Sequence, residues 1–339
     1  VHDELAATIE ALVAEGEALF YEGDLASQLL TDCSENGGYL VAEDLAGYQV
    51  HTRKPLQVNY HGATLFTNPP PALGGLLIAF TLAILETQHV GTLPFGDSTH
   101  LAGLAEAMRL TQEVRGKVAF EPTDRQRNTA SILDPLFVAA YADILKDHAC
   151  CRRGTTQISV ADRKGNLASM TLSNGEGSGY VIPGTGIMLN NMLGEEDINP
   201  LGFHRWKPDC RIASMMSPSL LFTPNNDIFA IGSGGSNRIR SAILQVISNL
   251  VDFDMNLQQA VHQPRIHYES GLLNIESGYP DATVRALESM YPEHKRWDNK
   301  NLFFGGAHSV QRDRKGDLTG VGDPRRGGVH RLSGAMRPE

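Results

Sequence analysis

The chain reads as an α+β protein in which stacked sheets are flanked by helices. Three patterns predict this. Helical periodicity dominates the first half, alternating strand pairs joined by short polar turns begin at Thr155, and a further helical stretch follows the second pair.

Taken in order, VHDELAATIEALVAEGEALFYEGDLA has an acidic, amphipathic helical pattern. It lacks the basic start and small-residue cleavage site of a secretory leader. The segment YLVAEDLAGYQVHTRKPLQVNYHGATLFTNPPPALGG is turn-rich and strand-prone. Its prolines Pro69 to Pro71, followed by Gly74 and Gly75, mark a loop feeding the apolar run Leu73–Leu85. That run is too short to span a bilayer and reads as a buried helix. THLAGLAEAMRLTQEVRGKVA is a second helix, with apolar residues at three- and four-residue spacing. TTQISVADRKGNLASMTLS predicts a hairpin turning at Arg163 to Asn166, and PSLLFTPNNDIFAIGSGG a second turning at Pro224 to Asp227. SNRIRSAILQVISNLVDF is helical in period, and a polar, glycine-rich tail closes the chain.

Composition narrows the function classes. With 339 residues, 41% of them hydrophobic, the chain can bury a substantial core. Its formal net charge of -10 and scattered Lys and Arg argue against a nucleic-acid partner and for small-molecule ligands. No membrane segment is evident. Cys33, Cys150, Cys151 and Cys210 form no CxxC pair and read as buried thiols. His262 and His267 flank QPRI without a supporting metal motif and read as structural, so no metal or organic cofactor is expected.

The chemistry begins at RRGTT, residues 152–156, where a polar loop meets a strand-initial threonine pair. A threonine hydroxyl needs a base, and one economical base is the residue's own α-amine, free only after cleavage of the preceding peptide bond. An amine with a reference pKa of about 7.7–8.0 suits proton exchange near neutrality. Farther on, the glycines of GSGGSNRI could instead suggest a phosphate loop. Asn237, however, sits where GxGxxG needs its last glycine, and no GK[ST] follows.

Several ordered segments together resemble the γ-glutamyltransferase (γ-glutamyltranspeptidase) family. They are TTQISVADRKGNLASMTLSNGEGSGYVIPGTGIMLNN from Thr155 to Asn191, ASMMSPSLLF from Ala213, GSGGSNRI from Gly232, QAVHQPRIHYE from Gln259 and GDPRRGG from Gly322. Upstream, EGDLA and GGYLVAEDLAGY resemble the family's large subunit. The resemblance implies an αββα sandwich of the N-terminal nucleophile hydrolase type. Residues 1–154 would correspond to the C-terminal part of the large subunit and 155–339 to the small subunit, together one domain.

Residue by residue, the resemblance makes Gly154/Thr155 the self-cleavage junction and Thr155 the nucleophile. Ser173 would hydrogen-bond it, and Gly234 and Gly235 would donate backbone N–H groups to the oxyanion. Asn174 and Ser214 match substrate contacts, and Glu195, in preference to Glu196, stands in for the acid that receives an α-ammonium, the alternative being that Glu195, Glu196 and Asp197 form a solvated acidic loop. Met215 occupies a position where the family has a second serine, and a thioether cannot donate that hydrogen bond. Met192 replaces a polar contact, and Gln157 replaces the histidine usual in TTH. Arg325 and Arg326 are expected to form ion pairs. The arginine that binds the substrate α-carboxylate in the family lies upstream of the matching segments, and the resemblance assigns that role to no arginine of this chain. The chain would then be either a fragment or a shortened homologue with a differently built pocket.

The implied activity is hydrolysis or transfer of the γ-glutamyl group of glutathione and related amides, with water, an amino acid or a peptide as acceptor. The processed fragments would stay together as a heterodimer. A cephalosporin-acylase-like amidase and an unprocessed, inactive binding homologue remain as alternatives. The compartment would be periplasmic or secreted if a leader precedes Val1, and cytoplasmic otherwise.

Overall fold

The computed structural model describes residues 2–118, 133, 155–195, 198, 199 and 202–333. These fall into two compact units, Val1–Lys54 with Asn174–Met192, and Pro55–Ser173 with Leu193–Glu339. Gly154, Glu196, Asp197, Cys150 and Cys151 lie outside the described residues.

The smaller unit holds helices α1 (Asp3–Glu15), α2 (Ala18–Tyr21), α3 (Asp24–Glu35) and α4 (Ala42–Ala46). Its core is modest: Ala26, Leu29, Leu45 and Ile182, with Tyr21, Tyr180 and Leu189 against them. The Tyr180 hydroxyl donates to Asp32, and Thr8 Oγ1 donates to the Thr185 carbonyl at 2.9 Å, tying the distant segment to the helices. The strand-prone reading of YLVAEDLAG does not hold. Asp44 accepts the Val41 N–H at 3.0 Å, satisfying a helix-start donor, and a short helix forms instead.

The larger unit is built on a six-stranded antiparallel sheet in the order β1-β2-β5-β6-β10-β11. Its strands are β1 (Leu56–Tyr60), β2 (Ala63–Thr67), β5 (Ser219–Phe222), β6 (Ile228–Gly234), β10 (Gly306–Arg312) and β11 (Leu318–Val321). Since β2 pairs with β5, chain from both sides of Thr155 contributes to one ladder. Helices α5 (Gly74–Gln88), α6 (Ser98–Val118) and α7 (Arg238–Val251) fill the core on one side. On the other side, β3 (Thr155–Ala161) and β4 (Leu167–Ser173) form a separate two-stranded sheet packed across β6 and β10. Helices, sheet and hairpin sheet stack as the α+β sandwich expected.

Alternation along β6 makes this layering possible. Phe229 and Ile231 enter the apolar core, whereas Gly232 and Gly234 offer the hairpin a surface without side chains. A Cβ on Gly232 would collide with the Gln157 amide, and one on Gly234 with the Thr155 carbonyl.

The polar, glycine-rich tail contains more structure than its composition suggests. It forms α8 (Leu257–His262), β7 (Ile266–Glu269), β8 (Leu272–Ile275), α9 (Asp281–Met290), β9 (His294–Arg296), β10 and β11. Strands β7, β8 and β9 make a third sheet. Its polar residues are buried in pairs, so hydrophobic alternation is missing where strands exist. The expectation of buried thiols is also corrected for the described cysteines: Cys210 is exposed and Cys33 is half-buried.

Candidate active site

The register that builds the site is set at its far end. Asp162 Oδ1 accepts the Lys164 and Asn166 N–H groups at 2.8 and 2.9 Å, and Asn166 Nδ2 donates to Asp162 Oδ2 at 2.8 Å. Gly165, at φ +94°, completes the turn. That closure fixes the hairpin ladder so that Thr155, opening β3, stands opposite Ser173, ending β4. Their hydroxyl oxygens are 3.2 Å apart.

Beneath this pair the hairpin presents polar rather than apolar side chains to the sheet. Gln157 Nε2 donates to Ser159 Oγ at 3.0 Å, Ser169 Oγ at 2.9 Å and the Ile158 carbonyl at 3.0 Å. Its Oε1 accepts from Thr171 Oγ1 at 2.6 Å. Ser159 and Ser169 in turn donate to the His308 and Ile231 carbonyls at 2.9 and 3.0 Å. This network holds the hairpin that carries Thr155 on β6 and β10 without the tolerance to sliding of an apolar contact.

The glycine pair lies where β6 ends. Gly234 touches the Thr155 backbone, and Gly235, at φ +130°, passes within 3.0 Å of Gly305 Cα measured from where its Cβ would be. Only glycine suits that conformation and that approach. Ser233 Oγ donates to the Gly234 carbonyl at 2.8 Å and accepts the Gly306 N–H at 3.0 Å. The Gly235 carbonyl accepts the Arg238 N–H at 3.0 Å, opening α7. Asn237 Nδ2 donates to the buried Glu269 Oε1 at 2.6 Å, and His267 Nε2 lies 3.1 Å from Glu269 Oε2. Burial pushes the His267 pKa down, while His267 and nearby arginines outweigh burial to hold Glu269 low. His267 is held between Ser241 and Glu269, with its Nδ1 2.7 Å from Ser241 Oγ.

A second buried cluster braces the facing strand. Arg325 makes two hydrogen bonds to Glu276, at 2.8 and 2.6 Å, and Arg265 Nη2 meets Asp323 Oδ2 at 2.7 Å. Asp323 also accepts the Ala307 and Arg325 N–H groups at 2.9 and 3.0 Å. Burial opposes its ionisation, but Arg265 and Arg325 hold its carboxyl well below the usual range. Arg265 Nη1 donates to the Phe304 carbonyl at 3.1 Å, which fixes the chain entering Gly305 and Gly306.

The remaining predicted residues are distributed differently. Asn174 belongs to the smaller unit, is exposed, and accepts the Gly177 and Asn191 N–H groups through its carbonyl. Glu195 is 6% exposed, and its carbonyl accepts from Asn199 Nδ2 at 2.7 Å. The Ser214 carbonyl accepts the Leu73 and Gly74 N–H groups at the start of α5, and Ser214 itself is half-buried. Met215, 5% exposed, is part of the main apolar core. Sequence reasoning assigned no role to Gln157, Ser233, Asn237 or Glu269. The only sequence signal for them was a polar residue interrupting an otherwise strand- or helix-like run. Among the described residues, no group of three or more His, Cys, Asp or Glu is arranged to hold a metal ion, and no helix is long and apolar enough to cross a membrane.

The fold has the layout of an N-terminal nucleophile hydrolase. The structure superposes on a cephalosporin acylase from Bacillus halodurans with a TM-score of 0.80 at 24% identity, over 96% of this chain and 61% of that one, a likeness of fold. The gamma-glutamyltranspeptidase family profile matches residues 1–332, and the chain belongs to that family. Among curated relatives, an acylase ACY 1 proenzyme of Pseudomonas sp. (strain SE83) is 31% identical over 335 residues, 95% of this chain and 59% of that protein. The glutathione hydrolase proenzyme of Escherichia coli (strain K12) is 28% identical over 358 residues, 96% of this chain and 60% of that protein. The chain thus spans about three-fifths of the length of these relatives.

Proposed function

We propose that this chain carries the catalytic centre of an amidase that transfers a γ-glutamyl group to water or an amine acceptor through an acyl ester on Thr155. The observation behind this reading is the convergence of Thr155 Oγ1, 3.2 Å from Ser173 Oγ, with the Gly234 backbone directly beneath it. Cleavage between Gly154 and Thr155 frees the α-amine. That amine takes the hydroxyl proton as Oγ1 attacks the amide carbonyl, and the C–O bond forms. Backbone N–H groups of Gly234 and Gly235 receive the oxyanion. Collapse breaks the C–N bond, and the proton passes to the departing amine. Water or an acceptor amine then attacks the ester and releases Thr155. The fragments remain joined as a heterodimer because β2 and β5, on opposite sides of the cut, share ladder hydrogen bonds.

Glutathione-type γ-glutamyl amides are the first substrate class. With the Met215 side chain directed to the core, hydroxyl contact from the ASMM segment falls to Ser214. A glutaryl amide, of the kind a cephalosporin acylase would cleave, is the second reading. The polar groups lost at Met192 and Met215 make it possible, and glutaryl, lacking the α-ammonium, needs fewer polar contacts.

Intact-mass measurement of the chain beside Thr155→Ala, after incubation at neutral pH, tests processing. Fragments meeting at Gly154/Thr155 in the parent alone support the mechanism. A chain uncut in both leaves an unprocessed binding homologue. In cleaved protein, comparison of γ-glutamyl and glutaryl anilide hydrolysis assigns the donor.

A further inference from the structure

The adjacent arginines Arg325 and Arg326 differ in environment. Arg325 is enclosed by Glu276 and Asp323. Arg326 makes no ion pair among the described residues, and its Nε is buried without a hydrogen-bond partner. The expectation that both form ion pairs therefore fails at Arg326. Its Nη2 donates to the Leu302 carbonyl at 3.2 Å. Its stem lies across Gly306, where a Cβ would stand 2.6 Å from Cδ and 2.9 Å from Cγ. The same stem brings Nη2 to 3.4 Å from where a Cβ on Gly235 would be. Gly306 pairs with Gly234 in the ladder, so two successive glycines, Gly234 and Gly235, touch Thr155 and Arg326 respectively.

A guanidinium offers five donors in a planar fork matched to a carboxylate. This one has little compensation: burial and Arg238 both disfavour its charge, and Asp323 opposes them more weakly. A half-buried cation with an idle donor, beside the loop that would hold a reacting carbonyl, is suited to an anion delivered by the ligand.

We propose that Arg326 is a specificity-determining residue, binding the carboxylate at the far end of a short dicarboxylic acyl chain whose reacting carbonyl lies at Gly234–Gly235. This rests on the reading of Thr155 as nucleophile and of the glycine pair as oxyanion donors. A glutaryl or γ-glutamyl chain places its two carboxyl carbons roughly 5 Å apart when extended, by ordinary bond lengths. A carboxylate hydrogen-bonded to Arg326 is within that reach of the glycine pair.

The test compares the parent, Arg326→Lys and Arg326→Met, the last keeping an apolar stem over Gly306. The substrates are glutaryl-p-nitroanilide and pentanoyl-p-nitroanilide, equal in carbon number but differing in charge. The expected result is a fall of about 30-fold in the glutaryl-to-pentanoyl ratio of kcat/KM for Arg326→Met, with partial recovery in Arg326→Lys. An unchanged ratio, whether or not overall activity falls, overturns the proposal and leaves Arg326 a prop for the loop. A second measurement does not depend on turnover: calorimetric titration of glutarate into the Thr155→Ala chain with and without Arg326→Met. Binding at least tenfold weaker in the double variant supports the assignment. Equal binding, or none to Thr155→Ala, overturns it. If the parent cleaves neither anilide while glutarate binding depends on Arg326, the nucleophile reading fails and the anion site stands.

Discussion

The side-chain amide of Gln157 occupies the space that a Cβ on Gly232 would fill. The hairpin can thus approach the six-stranded sheet closely enough for one glutamine to serve two strands, reaching Ser159 on β3 and both Ser169 and Thr171 on β4. The departure from histidine at this position thereby acquires a physical content: the carboxamide donates and accepts at once, with no change of charge.

Gln157→Leu removes the acceptor of the half-buried Thr171 hydroxyl, while Ser159 and Ser169 keep their bonds to backbone carbonyls. The expected loss of stability is about 1–3 kcal/mol, the usual cost of one polar group left unsatisfied. Urea unfolding checks it: the midpoint should fall without a change in slope. A midpoint equal to that of the parent would mean that water replaces the amide and that the layer is not closed.

In the proposed mechanism Ser173 supports Thr155 from across the ladder, so its removal should affect the chemical step more than binding. Ser173→Ala is expected to lower kcat by about 10- to 100-fold, the range of one charge-assisted hydrogen bond, with KM changed little. Steady-state kinetics on a γ-glutamyl anilide separates the two. Gly234→Ala should act differently, because its methyl group collides with the Thr155 carbonyl and displaces the nucleophile together with the strand. Loss of both folding stability and activity is expected there.

The Asp323 carboxylate joins Arg265, Arg325 and the Ala307 N–H, all buried. Asp323→Ala leaves the buried Arg265 without its ion-pair partner, beside an Arg325 that keeps only Glu276, and a loss of about 3–5 kcal/mol is expected. Thermal unfolding measures it. Because the carboxyl is held below its unfolded value, its contribution is present at neutral pH and is lost as pH falls below the ordinary carboxylate range. The alanine variant should therefore show a shallower acid dependence than the parent.

What was legible in the sequence follows from locality. Both hairpins could be read because Asp162–Asn166 and Thr223–Asp227 close through their own turn chemistry, and α5 because eleven of its residues are buried in an unbroken apolar run. Thr155, Ser173 and Gly234 could be read only through the resemblance, since nothing local says that a strand-initial threonine faces a glycine nearly eighty positions away. The later strands were missed because their stability comes from long-range polar pairing. Glu276 meets Arg325, and Glu269 meets Asn237, over separations that no periodicity encodes. The two arginines of DPRR look equivalent in sequence and differ only in which neighbours the fold supplies.

His100 provides a pH prediction independent of the site chemistry. Its ring lies against Phe95 and Phe253, at centroid distances of 5.4 and 4.9 Å, and is 1% exposed. Nδ1 accepts the Gly96 N–H at 3.0 Å, while Nε2 is buried without a partner. Burial lowers its pKa from 6.5 to about 4, against the smaller opposing effects of Asp97 and Asp252. The unfolded chain therefore binds the proton more readily between those two values, and stability falls as pH drops through that window. Substitution by a non-titrating residue should flatten this part of the profile. The measurement is chemical unfolding of the parent and His100→Gln between pH 7 and pH 4. Taking the difference cancels the carboxylates and the other histidines of lowered pKa, buried His267 and half-buried His308, common to both chains. A difference that narrows as the pH falls, with the parent losing stability faster, is expected, whereas parallel profiles would show that the ring titrates in the fold as it does in the unfolded chain.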